Sequence, residues 1–588
     1  MAAAALIVLA RVISQIFSAA AGTHMIVAFA ATVAFIVWWL FFSRAPWPER
    51  IGAVVVAIIA GFVTKLFLHE SMTRGFGGTV FAALLAPQTV APAFVLWAVA
   101  TRRLSSGLRR ATMVATIFLA CAVWTLFRTG GVTGDLGLHF TWRWEKTSEE
   151  RLLAHGPDET PAVPAAETTP PAPPATAAAG KPALSEPDVR RVKGSDPDVT
   201  RVKWGSFRGT ERDGIVHGLR IETDWSKSPP VEMWRRPIGP GWSSFAVAGD
   251  LFYTQEQRGE EEIVASYRVS TGKPVWRHGD PVRFQDASGD FGPRGTPTLS
   301  DGRVFVFGST GILDALDATS GKLLWTRNAS ADTNRKVPDW GFASSPLVID
   351  DLVIVAASGT LAAYDAANGN KRWVGPRGLA TYSSPHRATI GGVEQVLLIS
   401  GSGAVSVAPA SGELQWEHAW EAGGAAMVQP ALTADGDVLI SAVAMPAGAG
   451  IRRLSVSHDS SGWKVAERWT STGLKPHFND FVVHKGHAYG FDGSILACID
   501  LQDGARKWKG GRYGNGQLVL LADQDVLLVI SEEGELALVG ATPDQFSELA
   551  RFKAIEGKTW NHPALAGDVL LVRNGEEMAA FRLPVARR

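Results

Sequence analysis

Nine residues in the C-terminal two thirds of the chain have side chains able to do chemistry, and each lies close to the start of a strand-like run: Arg294, Trp340, Tyr382, Gln429, Asn479, Asp480, Asn515, Trp560 and His562. Asn479 and Asp480 set an amide beside a carboxylate, a pair that can ligate a hard cation or take a proton. Arg294 can polarise a carbonyl oxygen, and Trp340 or Trp560 can stack under a flat ring. Around them stand Trp242, Ser243, Ser244, Thr296, Ser344, Ser345, Ser383, Ser384, His386, His477 and Gln517. Such a mixture of donors, acceptors and rings, with few formal charges, is the make-up of a pocket for a small molecule or a peptide. The competing reading is that Ser and Asn here satisfy strand ends and hold channel water. Carboxylates are sparse, Asp480 standing almost alone with Glu256 on a neighbouring strand. His386, His477, His484, His487 and His562 do not fall at zinc spacing, so no metal site is expected. Two cysteines, Cys121 and Cys498, exclude a disulfide framework and every four-cysteine zinc site. No phosphate loop or nucleophile elbow is present.

The elements that must position these residues are one repeated unit. Residues 315–325 (ALDATSGKLLW) recur as 363–373 (AYDAANGNKRW) and 498–508 (CIDLQDGARKW), with looser copies at 266–276 and 407–416. Each copy reads as a strand, a tight turn with glycine at a positive φ, and a second strand beginning near Trp. Two more β-branched, alternating runs precede each copy, as at 345–350 and 352–357, making four antiparallel strands per unit. The tryptophans Trp276, Trp325, Trp373, Trp416, Trp469 and Trp508 are 49, 48, 43, 53 and 39 residues apart, a spacing that fits propeller blades and not helical repeats. Seven units run from Ser243 to about Lys553, and residues 563–584 supply three strands of an eighth. The missing strand is the segment around Trp234, expected to pair near Phe581 and so close the ring and remove its open edges. The repeated tryptophans are expected in the core and between blades.

The Ala-x-Asp-x-x-x-Gly-x-x-x-Trp unit resembles the repeats of pyrroloquinoline quinone (PQQ)-like β-propellers, over about residues 204–584. That family includes quinoprotein dehydrogenases and the eight-bladed lipoprotein of the outer-membrane β-barrel assembly machinery. The stretch 204–215 (WGSFRGTERDGI) looks like the lead-in of many bacterial members. The resemblance implies two possible roles. One is a binding or scaffolding module for a protein or small ligand at the axial funnel, with no cofactor. The alternative is a PQQ-dependent alcohol or sugar dehydrogenase with Ca²⁺, in which Asp480 and Asn479 would serve the metal or the proton, Arg294 the quinone oxygen, and Trp340 or Trp560 the ring. Sparse carboxylates and few long blade insertions favour binding. No N-terminal lipidation cysteine is present, so the assembly role is not carried over.

The first third has a different solvent. Residues 25–42, 51–68, 77–100 and 111–127 are long and apolar enough to span a bilayer, and 4–21 is a weaker fifth candidate or a signal peptide. Pro87, Gln88 and Pro92 predict a kink in the third. Arg44, Arg50, Arg102, Arg103, Arg109 and Arg110 fill two loops, which the positive-inside rule makes cytoplasmic, leaving the chain after Phe127 outside. Lys65, His69 and Glu70 sit near an interface, and 139–144 (HFTWRW) reads as a membrane-surface segment or an ordinary connector. Nine prolines within 157–187 mark a tether. The expected organisation is an all-α transmembrane domain at 1–130, a juxtamembrane segment and linker at 131–203, and an all-β eight-bladed propeller at 204–588. The expected location is the inner membrane with a periplasmic propeller. Equal numbers of basic and acidic residues, 57 each, give no field for nucleic acid. A bilayer and a protein or small ligand are the expected partners.

Overall fold

The computed structural model describes residues 23–43, 45–73, 81, 85–134, 138–154, 201–286, 290–420, 423–444 and 447–586. The 4–21 candidate span and almost all of the proline-rich tether lie outside them.

Four helices open the described chain: α1 Thr23–Val37, extended by one π-helical stretch, α2 Trp47–Lys65, α3 Ala86–Ala100 and α4 Ser106–Ala122. Two helical stretches, Trp47–Lys65 and Ser106–Leu126, are long and apolar enough to cross a membrane, whereas the expected spans at 25–42 and 77–100 contain shorter apolar helices. Residues 77–80 and 82–84 of the latter lie outside the described ones. Pro92 lies inside α3, whose described length is 15 residues, and Pro87 sits at its first turn, where a missing N–H costs nothing. At one end of the bundle Arg50 donates to the carbonyls of Leu40, Ser43 and Ala45, and Arg110 pairs with Glu49 at 3.1 Å. The two arginine-bearing turns therefore meet. At the other end Arg143 donates to Phe67 O at 2.9 Å, and Ser71 Oγ accepts the Thr129 N–H.

The 139–144 segment is mostly strand. β1 Phe127–Val132 pairs antiparallel with β2 Leu138–Trp142, and Trp142 stacks between Phe127 and Trp144 at 4.7 and 5.1 Å. A short helix, α5 Ser148–Ala154, follows. It opens with a reciprocal cap in which Thr147 and Glu150 each accept the other's backbone N–H. Its Glu149 grips Arg283 at 2.8 and 2.9 Å and the Gly259 N–H, fixing the helix to the rim of the β-domain.

Eight sheets of four blade strands each follow, two of them extended by a short strand of the lead-in. Blades 1 to 7 occupy residues 246–280, 298–328, 347–377, 386–419, 431–471, 482–512 and 517–553, and blade 8 joins residues 564–582 to the strand Val231–Pro237. Ala580 lies opposite Trp234 and Phe581 opposite Glu232, so the ring closes where the sequence pattern placed the closure.

The repeat motif is explained by the seams between blades. Each Trp lies under the turn of the following blade and donates its indole N–H to a turn carbonyl: Trp234 to Val269, Trp276 to Ala318, Trp325 to Ala366, Trp373 to Pro409, Trp469 to Leu501 and Trp508 to Thr542, at 2.7–3.0 Å. In every case but Trp508, the turn glycine of that blade rests on the same ring. A Cβ on Gly321 would sit 2.5 Å from Trp276, and one on Gly369 2.7 Å from Trp325, with φ of +72° and +73°. Only glycine fits both the contact and the backbone. The motif aspartate accepts N–H groups of its own turn, as Asp317 does from Ser320 and Asp365 from Ala367 and Asn368. Blade 5 breaks the pattern because its last two strands form one long hairpin, and Trp416 bonds Gln395 within its own blade instead. Cys121 and Cys498 are both buried and unpaired.

Candidate functional site

The innermost strand of every blade is its first, so the residues ahead of it face one axis. A cavity of about 200 Å³ lies there. Every blade contributes to its wall: Trp242, Arg294, Trp340, Tyr382, Met427, His477, Gln517 and Trp560 in blade order, with Ser345, Ser384, Phe478 and His562 among the other lining residues.

The floor is the lead-in segment. Val202–Trp204 joins blade 1, Gly205 O accepts from Leu299 of blade 2, and Ile215–Val216 pairs in parallel with the first strand of blade 7. Between them the chain crosses the axis in a tight knot in which Arg208 and Arg212 have φ of 64° and 60°. Their guanidinium groups act as spokes, Arg208 to Phe481 O of blade 6 at 2.6 Å and Arg212 to Pro346 O of blade 3 at 2.8 Å. Phe207 is carried into the cavity wall, edge-on to His562 at 5.7 Å.

The roof is the hairpin from the N-terminal region. Thr133 and Gly134, at the β1–β2 turn, line the cavity. The Gly134 N–H donates to Glu532 Oε1 at 2.7 Å, and Asn515 packs where a Gly134 side chain would be. Lys558 pairs with Asp290 at 2.9 Å beneath the same hairpin and lies over the rings of Trp242 and Trp560.

Of the nine residues singled out in the sequence, five line the cavity: Arg294, Trp340, Tyr382, Trp560 and His562. Arg294 is held in an ion pair with Asp286 and donates to Trp340 O at 3.0 Å. Trp560 is wedged between Trp242 at 4.8 Å and Phe478 at 4.9 Å and donates to Glu532, so its faces are occupied. Trp340 and Tyr382 meet edge to face at 5.7 Å. Burial pushes the Tyr382 hydroxyl up to about 12. His562 is fully enclosed, and burial together with Arg208 pulls it down to about 3, so it is a neutral ring. The other four, Gln429, Asn479, Asp480 and Asn515, are buried outside the lining set. Asp480 lies 3.5 Å from Arg208 and accepts the Gln429 N–H. Burial raises its carboxyl above the usual range against the pull of Arg208. Glu256 also has a structural setting, bonded to Tyr267 and Arg258 in the interior of blade 1.

Among the described residues no carboxylate lines the cavity. Carboxylates behind the wall are committed: Asp480 to Arg208, Asp286 to Arg294, Asp290 to Lys558, and Glu532 to the N–H groups of Gly134, Asn515 and Trp560. A calcium ion takes six to eight oxygens, charged ones among them. The donor set does not fit a calcium-held quinone. What the wall does offer is uncharged. Trp242 Nε1, His477 Nε2 and Gln517 Oε1 have no hydrogen-bond partner, and burial holds His477 neutral by drawing it down to about 4. One fixed donor, one fixed acceptor and one neutral imidazole beside exposed ring surface suit a peptide-like or other uncharged polar group.

Sequence reasoning missed Gly134, Glu532, Met427 and the two arginine spokes. Phe207 and Arg208 lay inside the WGSFRG phrase already noted, but nothing in the sequence showed that this phrase crosses the axis.

Fold and site together define an eight-bladed β-propeller with an axial pocket whose described lining holds no carboxylate. The family model described as outer membrane protein assembly factor BamB matches residues 260–510. A stretch of 114 residues is 32% identical to the outer membrane protein assembly factor BamB of Shewanella oneidensis, covering 18% of this chain and 27% of that protein, so the chain spans about a quarter of the length of the curated relative it matches. Among solved structures, BamB from Moraxella catarrhalis is similar at 14% identity and a TM-score of 0.46, over 61% of this chain and 99% of that one. Quinohemoprotein alcohol dehydrogenase from Comamonas testosteroni is similar at 13% identity and a TM-score of 0.49, over 67% and 82%.

Proposed function

We propose that this chain is a membrane-anchored binding module whose propeller stands on the extracytoplasmic side and receives an extended segment of a protein partner in its axial cavity. One observation carries the reading: the cavity already receives the backbone of Thr133 and Gly134, with the Gly134 N–H on Glu532, and leaves further donors and acceptors on its wall without partners. A chain segment supplied in trans would meet the same groups. The anchoring part of the reading is supported by the two long apolar helices and by exposed Phe62, Leu66, Leu96 and Leu119 on the bundle, which would face lipid. Its orientation is supported by the meeting of the two arginine-bearing turns at the end of the bundle away from the propeller. The partial match to a protein named as an outer membrane protein assembly factor agrees with an extracytoplasmic, membrane-associated location.

Photocrosslinking in intact cells tests it. A benzophenone side chain at Met427, on the cavity wall, is expected to trap a second protein, and the yield should rise when residues 133–137 are replaced by a shorter turn. Adducts confined to the chain's own hairpin would refute the reading. Oxidation of alcohols or sugars by a PQQ-loaded enzyme rests on the resemblance alone. Incubating the full chain with PQQ and Ca²⁺ is expected to leave no bound quinone spectrum after gel filtration, and a retained stoichiometric spectrum would restore the dehydrogenase alternative.

A further inference from the structure

The seam between blades 1 and 2 contains a group of residues unlike anything in the neighbouring seams. His278 and Asp280 lie two residues apart on the last strand of blade 1, Pro274–Asp280, and so point to one face. Asp314 lies on the third strand of blade 2, Ile312–Asp317. His278 Nε2 is 3.6 Å from Asp314 Oδ2 and 3.8 Å from Asp280 Oδ1, and the ligand atoms of the three residues all fall within 4.8 Å of one another.

Asp314 has no solvent exposure, and neither of its carboxylate oxygens accepts a hydrogen bond; nor does the buried His278 Nε2 have a hydrogen-bond partner. Among the described residues no lysine or arginine pairs with Asp280 or Asp314. A third carboxylate adds to the charge: Glu262 is the cross-strand partner of Asp280 and bonds the N–H and hydroxyl of Ser309. The repeat makes the anomaly plain. At the position of Asp314 the corresponding strands of blades 1, 3 and 6 carry Ala265, Ala362 and Ala497. An apolar seam takes alanine there. A buried carboxylate without a counter-charge costs several kcal/mol, so either a proton or a cation must neutralise it.

We propose that His278, Asp280 and Asp314 bind a divalent transition metal of the zinc class and so staple blade 1 to blade 2. One imidazole nitrogen and two carboxylate oxygens are a borderline donor set that suits zinc better than calcium or magnesium. Tetrahedral bonds of ~2.0–2.2 Å hold donor atoms roughly 3.3–3.6 Å apart. The observed separations need to close by a few tenths of an ångström around His278 and by no more than about 1.5 Å between the carboxylates. Asp280 keeps 23% of its side-chain exposure, which leaves an access path and a fourth position for water. Glu262 and Ser309 stand behind the ligands as a hydrogen-bonded support.

The test uses the full chain in detergent, stripped with a chelator and dialysed against micromolar zinc. The expected result is one equivalent of zinc by elemental analysis and calorimetry, a raised melting midpoint on loading, and cobalt-substituted absorption bands of a four-coordinate site. Asp314→Ala installs the residue that other seams already hold and is expected to fold, to melt no lower than the metal-free parent, and to bind no zinc at this site. Asp280→Asn, at the rim, is a second variant with the same expected loss. Absence of bound zinc in the parent, or equal zinc in parent and both variants, would overturn the assignment and leave a proton shared by the two aspartates.

Discussion

The seams between blades and the axial cavity use the same kinds of group, indole, amide, hydroxyl and imidazole, yet leave them in opposite states. In six seams the indole N–H is bonded, and in five of them the ring is covered by glycine of the next turn, Phe546 standing against Trp508 in the sixth. On the axis Trp242 Nε1, Gln429 Nε2 and Oε1, His477 Nε2, Asn479 Nδ2 and Gln517 Oε1 are buried without partners. Those bonded indoles have nothing left to offer a ligand, since buried polar groups normally end up bonded; the seam exceptions are His278 and Asp314, the pair proposed above to hold a metal. Of these, Trp242, His477 and Gln517 line the cavity, where a partner's backbone or ordered water can complete them, and Gln429 and Asn479 lie behind the lining. The difference separates what the repeat needs for folding from what the chain keeps for binding.

Acid should break the axial side first and with the largest effect. Burial draws His386 and His562 to about 3 and His477 to about 4, with Arg212 and Arg208 adding to the shift at His386 and Arg208 at His562. Folded values depressed below 6.5 mean that the unfolded chain takes up the protons. Stability is therefore intact above pH 6.5 and falls as the pH drops toward 3–4. At pH 5 each histidine costs about 2 kcal/mol relative to pH 7. Denaturant melts at the two pH values should differ by the sum of these shares, and His477→Gln should remove one of them. A midpoint that does not change between pH 7 and pH 5 would mean that the axial imidazoles are solvated.

A seam should break next. Trp325→Ala deletes a buried indole and its bond to Ala366 O, for a loss of about 3–5 kcal/mol. Gly369→Ala, which drives a methyl into the same ring at positive φ, should cost about 2–4 kcal/mol. The two act on one contact, so the double variant should be less unstable than the sum by at least about 1 kcal/mol. Simple additivity would show that the glycine and the indole are not a unit.

Motif periodicity made the seams legible because Asp, Gly and Trp each answer to a local constraint: a turn, a positive φ and a covering ring. Blade count and ring closure followed from those positions. The axial ring was legible only as far as strand starts could be found, which placed Arg294, Trp340, Tyr382, Trp560 and His562 on the wall. It could not show that Asp480 would be neutralised by Arg208, that Trp560 would lose both faces to Trp242 and Phe478, or that Gly134 would roof the cavity. Those contacts join segments far apart in the chain, with no repeat to set their register. For the spans, apolar composition marks a region without fixing helix bounds: two described helical stretches have the length and composition to cross a membrane and two are shorter.

The smallest effect on stability should sharpen the contrast most. Gln429 is buried at the axial end of blade 5 with neither amide atom bonded, while its backbone N–H holds Asp480. Leucine has nearly the same volume and needs no partner, so Gln429→Leu should be neutral or stabilising by up to about 1 kcal/mol in denaturant melts. A seam amide behaves oppositely: Gln395 accepts from Trp416 at 2.7 Å and from Ser406, and Gln395→Leu should cost about 1–3 kcal/mol by stranding both donors. If the axial amide is kept for a partner, the stable Gln429→Leu protein should also lose photocrosslinking from Met427. Retained crosslinking with gained stability would mean that this amide is an unrelieved cost of the fold and that the wall residues Trp242, His477 and Gln517 alone face the ligand.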